Sequence, residues 1–274
     1  MIYVITVYWK SNFWVERQLQ NLNNFSESGT EVLVFRDRQT DVPEYNYDNL
    51  RVRIFDDGGV RSHAEKLNIL ASFACSEAQD EDILVFLDSD AFPIASYQDF
   101  ISQELESFGL VAVRRDENLE PQPHPCFCAI KVGTWKRIRG DWRKGPLWTD
   151  LDGHSVTDVG ATLGRQLKEA AIDWYPLLRS NKKNYHNSFY AIYGGIVYHH
   201  GCGSDGRDLV SRSELKWLSH SRWFRVIPGV IRVRILKAVK YRYSRKNRDV
   251  DLFIRAHLDD VNALKNILMQ PANG

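Results

Sequence analysis

The chain has 274 residues and a formal net charge of +1 at pH 7, and 43% of its residues are hydrophobic and 26% are charged. This composition is typical of a soluble globular protein with enough length for one large domain, and it argues against a disordered or fibrous chain. No apolar run approaches a membrane span, and the amino terminus lacks the basic segment that begins a signal peptide. The four cysteines form no dense disulfide framework, so we expect a reduced, cytoplasmic setting.

Predicted strands and helices alternate through the first part of the chain. The predicted strands are residues 2–8, 31–35, 51–55 and 83–87. A first helix is expected after Ser11 or Asn12, and a second after Ser62, which forms a capping box with Glu65. Strands that alternate with helices indicate a right-handed, mostly parallel α/β sheet.

The strand at 83–87 is followed by Asp88-Ser89-Asp90, and Pro93 makes continuation of the same ladder unfavourable. Five consecutive apolar residues are typical of a strand buried on both faces, in the middle of a parallel sheet. Open α/β sheets bind ligands at the carboxyl ends of such strands, and carboxylates are suitable ligands for Mg²⁺ or Mn²⁺. The alternative interpretation is that both aspartates only cap the following turn.

The second part of the chain has a less regular pattern. The expected elements are a helix at about 101–108, a strand at 110–113, a strand at 126–132, a short helix at 135–138, a loop from 139 to 154, a helix opened by a capping box at 155–158, a strand or hairpin at 189–198, and a final helix from Asp251 to Met269. The best boundary candidate is Gly203 to Arg207, which divides the chain into residues 1–205 and a basic, helical extension, 206–274.

The order of these features resembles the GT-A class of nucleotide-sugar glycosyltransferases. The resemblance covers about residues 1–205 and rests on a strand at the amino terminus, two further βα units and a D-x-D motif at Asp88–Asp90. The run from Ser62 to Asn68 looks like the helix that precedes the D-x-D strand in this class. His199-His200-Gly201 resembles the histidine that completes the metal site in part of it. The resemblance implies a single GT-A-like domain with a nucleotide-binding half, 1–95, and an acceptor half, 96–205.

The resemblance also implies positions for the donor and metal sites. Carried over by position, the donor would be bordered by Thr6, Tyr8, Asp37, Asp57, Arg61, His63, Lys66 and Asp88, and the metal held by Asp88, Asp90 and His200 or His199. Only one of two adjacent histidines in a strand can face the site, and His200 is preferred because Gly201 lets the backbone approach closely. The alternatives are that Tyr8 only packs, Asp37 belongs to a turn and Lys66 is a solvated helix charge.

Two further readings concern zinc and the catalytic base. A zinc site from His124, Cys126, Cys128, His199 and Cys202 is disfavoured, because C-x-C fits no standard finger and both thiols would share one packed strand face. An inverting transfer needs a carboxylate to deprotonate the acceptor hydroxyl, and the candidates are Asp158, Asp150 and Asp152. Asp158 is preferred, although the capping box explains it equally well. Trp142 and Trp148 are candidates for sugar stacking or for core packing.

The expected function is metal-dependent transfer of a sugar from a nucleoside-diphosphate donor, UDP-linked by preference, to a glycan or lipid-linked glycan. Inversion or retention does not follow from the sequence. Rival functions are a haloacid-dehalogenase-like phosphatase, which also uses D-x-D after an apolar strand, and a nucleotidyltransferase, which the first strand disfavours because it lacks a Gly-rich phosphate loop. A third rival is a nucleic-acid binder that uses the basic tail, although no nucleic acid is expected as a partner.

The basic segment from Arg222 to Arg248 contains ten Lys or Arg residues and no Asp or Glu, which leaves 26 basic and 35 acidic residues and a net charge of −9 elsewhere. Apolar residues are interleaved with these cations, and Pro228-Gly229 interrupts them. Such a segment is expected to attract an anionic membrane surface, which would place the protein at the inner face of the membrane. The alternative is that it packs on the acidic body.

Overall fold

The computed structural model describes residues 1–9, 11–37, 39–42, 47–56, 59, 62–150, 153–201, 210, 215, 218 and 221–270. Twelve strands are found there: β1 (Ile2–Tyr8), β2 (Thr30–Arg36), β3 (Leu50–Asp56), β4 (Ile83–Asp88), β5 (Ala91–Pro93), β6 (Leu110–Val113), β7 (His124–Lys131), β8 (Trp148–Thr149), β9 (Ser155–Val156), β10 (Trp174–Leu177), β11 (Ala191–Tyr193) and β12 (Val197–His199). The helices are α1 (Phe13–Phe25), α2 (His63–Glu77), α3 (Gln98–Glu104), α4 (Val132–Ile138), α5 (Ala161–Glu169), α6 (Arg222–Val226), α7 (Gly229–Arg255) and α8 (Val261–Met269).

The central sheet has seven strands in the order β10-β6-β7-β4-β1-β2-β3. Every neighbouring pair is parallel except those of β7, which runs antiparallel to both β4 and β6. The expectation of an α/β fold with a mostly parallel sheet and a helical extension is confirmed. The apolar run of β4 lies in the middle of the sheet and is buried on both faces, as its composition predicts.

Each face of the sheet is covered by helices whose apolar stripes follow helical spacing. Val15, Leu19 and Leu22 of α1 pack on one face, in a core shared with Val4 and Val85. The other face is covered by α2 and α4, whose apolar residues join a second core. Because successive residues of a strand point to opposite faces, the same strands contribute side chains to both cores.

At Asp88 the chain leaves the central sheet, as Pro93 predicts. Residues 91–93 form β5, which is the edge strand of a second sheet with the order β11-β12-β5. The pairing of β5 with β12 is antiparallel and sets His199 opposite Ala91. The predicted hairpin at 189–198 is thus confirmed, and its pairing brings His199 beside the Asp88–Asp90 turn.

Three local predictions were wrong. The first was that a capping box at 155–158 opens a helix. Instead, Ser155 and Val156 form β9, and α5 begins only at Ala161. Gly160 precedes α5 with a φ of 91°, and a β-carbon there would overlap the carbonyl of Pro123. The chain therefore needs glycine at this position to turn from the hairpin of β8 and β9 into the helix.

The second wrong prediction was that Cys126 and Cys128 share one strand face. The register between β6 and β7 shifts near Val113, so that Cys126 packs in the first core and Cys128 in the second. The two thiols therefore lie on opposite faces of the sheet. One zinc ion cannot be ligated by both, and Cys202 lies outside the described residues.

The third wrong prediction was a single helix from Asp251 to Met269. The helix α7 ends at Arg255, and α8 begins after Asp260, whose carboxylate accepts hydrogen bonds from the backbone N–H groups of Asn262 and Ala263. Strand β10, which joins the edge of the central sheet beside β6, was not predicted.

The carboxyl-terminal helices pack against the small sheet. Ile254 and Leu264 share a third core with Trp14, Phe92 and Tyr198. In contrast, the part of α7 before Asn247 carries no buried side chain. The division at residue 205 stays a prediction, and Gly203 to Arg207 lie outside the described residues. In the described part of the chain, no helix combines the length and the apolar character needed to span a membrane.

Candidate active site

A cleft of about 460 Å³ opens at the carboxyl ends of β1 and β4, beside the start of α2. Its lining includes six of the residues expected at the donor, metal or catalytic site: His63, Lys66, Asp88, Asp90, Asp158 and His199. The cleft therefore lies where open α/β sheets bind ligands. It brings together residues that are separated by up to 136 positions in the sequence.

Asp88, Asp90 and His199 form a cluster in which one ligand atom of each lies within 4.8 Å of the others. His199 Nε2 is 3.5 Å from Asp90 Oδ1 and 3.9 Å from Asp88 Oδ2. Ligands about 2.1 Å from a common ion lie about 3 Å apart at right angles, so a small contraction would let all three bind one cation. Two carboxylates and one imidazole suit Mn²⁺, and the carboxylates alone suit Mg²⁺. The residues present therefore fit a divalent metal.

The expectation that His200 faces this cluster was wrong. Adjacent residues of extended backbone point in opposite directions, and His199, the last residue of β12, is the one directed at the carboxylates. The ring of His200 is fully buried on the other side, with Nε2 2.7 Å from Asp251 Oδ1 and Nδ1 2.8 Å from the hydroxyl of Tyr198. The choice depends on the pairing of β12 with β5, which the sequence alone does not reveal.

The surroundings of the two aspartates favour their ionised form. Burial alone raises the pKa of Asp88, but His63 donates a hydrogen bond of 3.1 Å to its Oδ1 and adds positive charge when protonated, so that the net pKa lies well below the usual range. The pKa of Asp90 is lowered as well, because His199 outweighs the opposing effect of burial. Both carboxylates are therefore ionised at neutral pH, as metal binding requires.

The opposite wall of the cleft is cationic. His63 is the first residue of α2, and the predicted capping box between Ser62 and Glu65 is present in both directions. Lys66 is buried, with Nζ 4.6 Å from the centre of the Trp9 ring. A helix amino terminus and a buried ammonium group beside this cluster of two carboxylates and an imidazole are suited to phosphate oxygens. Arg61 and Asp57, expected nearby, lie outside the described residues.

Thr6, Tyr8 and Asp37 are not brought to the cleft by the described structure. Thr6 and Tyr8 are fully buried on the face of β1 that packs against α1, whereas Val7 and Trp9 line the cleft. Asp37 is also buried. Its carboxylate accepts a hydrogen bond of 2.6 Å from the hydroxyl of Thr40, in the turn after β2.

The carboxylates considered for catalysis occupy different places. Asp158 lines the cleft and is half-buried, and its Oδ1 accepts a hydrogen bond of 2.8 Å from the backbone N–H of Val159. Asp150 accepts from the backbone N–H of His154 in the turn between β8 and β9, away from the described lining of the cleft. Asp152 lies outside the described residues.

The two tryptophans considered for sugar stacking also differ. Trp142 is fully buried against Phe86 in the second core, so its ring is not available to a ligand. Trp148 is half-buried in β8.

Sequence reasoning missed two ionisable residues of the cleft, Arg115 and His124. Arg115 is a buried cation whose pKa is raised, since the nearby carboxylate of Glu120, 3.4 Å away, outweighs the lowering effect of burial. Its guanidinium lies 3.2 Å from Nε2 of His124, and burial and this positive charge lower the pKa of that histidine. His124 was considered only for zinc. It lies at the start of β7, the strand next to the one that ends in Asp88, and this neighbourhood could be known only from the order of the strands in the sheet.

A loop at 186–189 closes one side of the cleft with Ser188 and Phe189. The guanidinium of Arg179 donates hydrogen bonds to the backbone carbonyls of His186, Asn187 and Phe189. One half-buried guanidinium thus binds three of the four backbone carbonyls of this loop. No local pattern in the sequence indicates this arrangement.

Neither a family model nor a curated protein matches this chain. It resembles the solved structure of the mannosyltransferase PcManGT from Pyrobaculum calidifontis, determined in complex with GDP-Man and Mn²⁺, with 18% identity, a TM-score of 0.43, and coverage of 64% of this chain and 54% of that one. It also resembles the glycosyltransferase GlyE of Streptococcus pneumoniae, with 13% identity, a TM-score of 0.38, and coverage of 50% and 36%. For residues 1–349 of TarS from S. aureus, the values are 19%, 0.37, 52% and 50%.

The chain thus spans about half of the length of these proteins or less. The first two are glycosyltransferases by name, as the sequence resemblance leads one to expect. Similarity of this degree carries no argument about activity, which has to rest on the cleft itself.

Proposed function

We propose that the protein is a metal-dependent glycosyltransferase that uses a nucleoside-diphosphate sugar. The observation that supports this most is the cluster of Asp88, Asp90 and His199 at the carboxyl end of a central strand, next to a cationic wall. The cleft places two carboxylates and an imidazole beside the cationic start of a helix. This arrangement is complementary to a diphosphate with its divalent ion. The carboxylates and imidazole alone, or the cationic helix start alone, would suit simpler ligands.

Asp88, Asp90 and His199 would hold Mn²⁺ or Mg²⁺, which when bound neutralises charge on the leaving diphosphate. His63 keeps the carboxylate of Asp88 ionised and oriented through the hydrogen bond to Oδ1. Lys66 and the amino terminus of α2 would bind phosphate oxygens. We assign the base of an inverting transfer to Asp158, because it is the described carboxylate of the three candidates that lines the cleft.

The acceptor is proposed to be a glycan or a lipid-linked glycan at an anionic membrane surface. The most exposed part of the tail is apolar as well as basic: Trp223 is 82% exposed and Val230 71% exposed. Val226, the last residue of α6, and Val233 on α7 are exposed as well. Nucleic acid requires the cations of such a segment but not its exposed aliphatic side chains, whereas a membrane interface accommodates both.

Vesicle co-sedimentation tests the membrane proposal. Binding should require anionic lipid, weaken in high salt and fall for the double variant Trp223→Ser, Val230→Ser, because each basic residue near the surface contributes about 1 kcal/mol and the apolar anchors add to it. Leu252→Ser is the control, since Leu252 is 60% exposed on α7, the helix of Val230, beyond the basic segment. Equal binding to neutral vesicles, or an equal loss in the control, would contradict the proposal, as would tight, salt-sensitive RNA or DNA binding without vesicle binding.

The transferase proposal is tested by incubating the protein with UDP- and GDP-sugars and following donor consumption with Mn²⁺, with Mg²⁺ and with EDTA. Consumption should require metal and should be lost in Asp90→Asn. GDP-sugars are included because a mannosyltransferase of similar fold was solved with GDP-Man. Metal-independent consumption would contradict the proposal. Hydrolysis of simple phosphate esters that is lost in Asp88→Asn would instead indicate a phosphatase.

A further inference from the structure

A buried series of hydrogen bonds lies directly behind the proposed metal site, which consists of Asp88, Asp90 and His199. It runs from Tyr198 through the ring of His200 to Asp251 on α7. An ionised carboxylate can only accept, so Nε2 of His200 carries the proton and donates to Asp251. Nδ1 then accepts from the hydroxyl of Tyr198. The imidazole is therefore held at both nitrogens, in one tautomer and one orientation.

Asp251 is itself fixed on both sides. Its Oδ1 binds His200, and its Oδ2 accepts a bond of 2.8 Å from Nε of Arg255, one turn further along α7. The side chain of Asp251 is only 12% exposed. Burial alone raises its pKa, but the hydrogen bond from His200 and the positive charge of Arg255 outweigh this, so its pKa is lowered and the group stays ionised. The ring of Trp14 covers His200 at a centroid distance of 4.5 Å.

His200 connects these hydrogen bonds to two of the three residues of the proposed metal site. Its backbone N–H donates a bond of 3.0 Å to the carbonyl of Asp90, and its neighbour in β12 is His199. A displacement of His200 that moves its backbone would therefore shift the backbone of Asp90 and reorient His199 relative to the carboxylates. Groups behind the ligands of a metal site set ligand orientation in this way, and their loss weakens metal binding.

We propose that Asp251 is a positioning residue for the metal cluster, so that α7 supports the donor site as well as carrying the basic tail. This inference rests on the proposed metal-dependent function. It assigns a role to the carboxyl-terminal extension that the resemblance over residues 1–205 does not supply. The carboxylate contributes both a hydrogen bond to His200 and a charge paired with Arg255. We therefore expect a variant that removes only one of these to lose less metal affinity than a variant that removes both.

The test measures Mn²⁺ affinity directly, from the loss of the free-ion electron paramagnetic resonance signal, and does not need turnover. Asp251→Ala should bind Mn²⁺ about tenfold more weakly, at the lower end of the range for groups behind metal ligands. Asp251→Asn should lose less, since an amide oxygen still accepts from His200. Asp249→Ala is the matched control: it removes an exposed carboxylate two residues away on the same helix and should bind Mn²⁺ like the wild type.

Thermal unfolding of each variant measures its folded fraction, to which the affinities are normalised. If Asp251→Ala does not fold, Arg255→Gln replaces it, because this change removes the outer ion pair and leaves the Asp251–His200 bond in place. It should weaken Mn²⁺ binding by about threefold, less than the loss expected for a group behind a ligand. Wild-type affinity in these folded variants would overturn the positioning role alone. Absence of Mn²⁺ binding in the wild type would contradict the proposed function and the positioning role together.

Discussion

Replacement of Asp158 by Asn separates catalysis from folding at this position. The carboxylate is half-buried and accepts one backbone hydrogen bond, from Val159, through Oδ1. An Asn side chain keeps a carbonyl oxygen in this place, so the free energy of unfolding should fall by less than about 1 kcal/mol. The variant loses only the ability to accept a proton from the acceptor hydroxyl. General-base catalysis contributes about 10²- to 10⁴-fold, so turnover should fall by at least about 100-fold, or about 2.7 kcal/mol in the barrier.

The assay follows donor consumption and product formation with saturating donor and Mn²⁺, and calorimetry measures donor binding separately. Donor affinity should be unchanged in Asp158→Asn, because the metal cluster and the cationic wall are intact. Asp150→Asn is the control, since Asp150 holds the turn between β8 and β9 outside the described lining of the cleft. Near-normal turnover in Asp158→Asn would refute the assignment of the base, and a product of retained anomeric configuration by NMR would refute inversion.

Three further predictions concern stability. Gly160→Ala should destabilise the protein by more than Gly153→Ala, because both residues have positive φ but only Gly160 meets a backbone carbonyl, and urea unfolding of both variants measures the difference. Phe86→Ala should cost about 3–5 kcal/mol of unfolding free energy and Phe253→Ala less than about 1, because Phe86 is fully buried and Phe253 is 42% exposed. Burial raises the pKa of Tyr97 from 10.0 to about 12, so the free energy of unfolding should fall as pH rises from 10 to 12. Tyr97→Phe should reduce the slope of unfolding free energy against pH by about 1.4 kcal/mol per pH unit. An unchanged slope in this variant would contradict the prediction.

Local sequence signals predicted the parts of the fold that depend on neighbouring residues. The apolar run of β4 predicts a central strand because only a strand covered on both faces needs five consecutive apolar residues. Ser62 and Glu65 predict the start of α2 because the side chain of each accepts a hydrogen bond from the backbone N–H of the other. The pairing of Asp88 and Asp90 at the end of the strand follows from adjacency in the chain.

Features that depend on distant pairings could not be predicted in the same way. The orientation of His199 and His200 is set by the register of β12 against β5, about a hundred residues earlier in the chain. The opposite placement of Cys126 and Cys128 follows from a register shift between β6 and β7. Arg115, which follows β6, reaches the cleft only because β6 is separated from β4 by the single strand β7.

Calorimetric titration of UDP and GDP into the protein, with Mn²⁺ and with EDTA, tests the central claim most directly. Binding of at least one nucleotide should be strong with Mn²⁺. EDTA or Asp90→Ala should weaken it at least about tenfold, since removal of a metal ligand costs no less than removal of a group behind one. Ser89→Ala is the control, because it changes a neighbouring side chain in the same turn and leaves both carboxylates in place. Nucleotide binding of equal strength with EDTA, or undiminished in Asp90→Ala, would contradict the account.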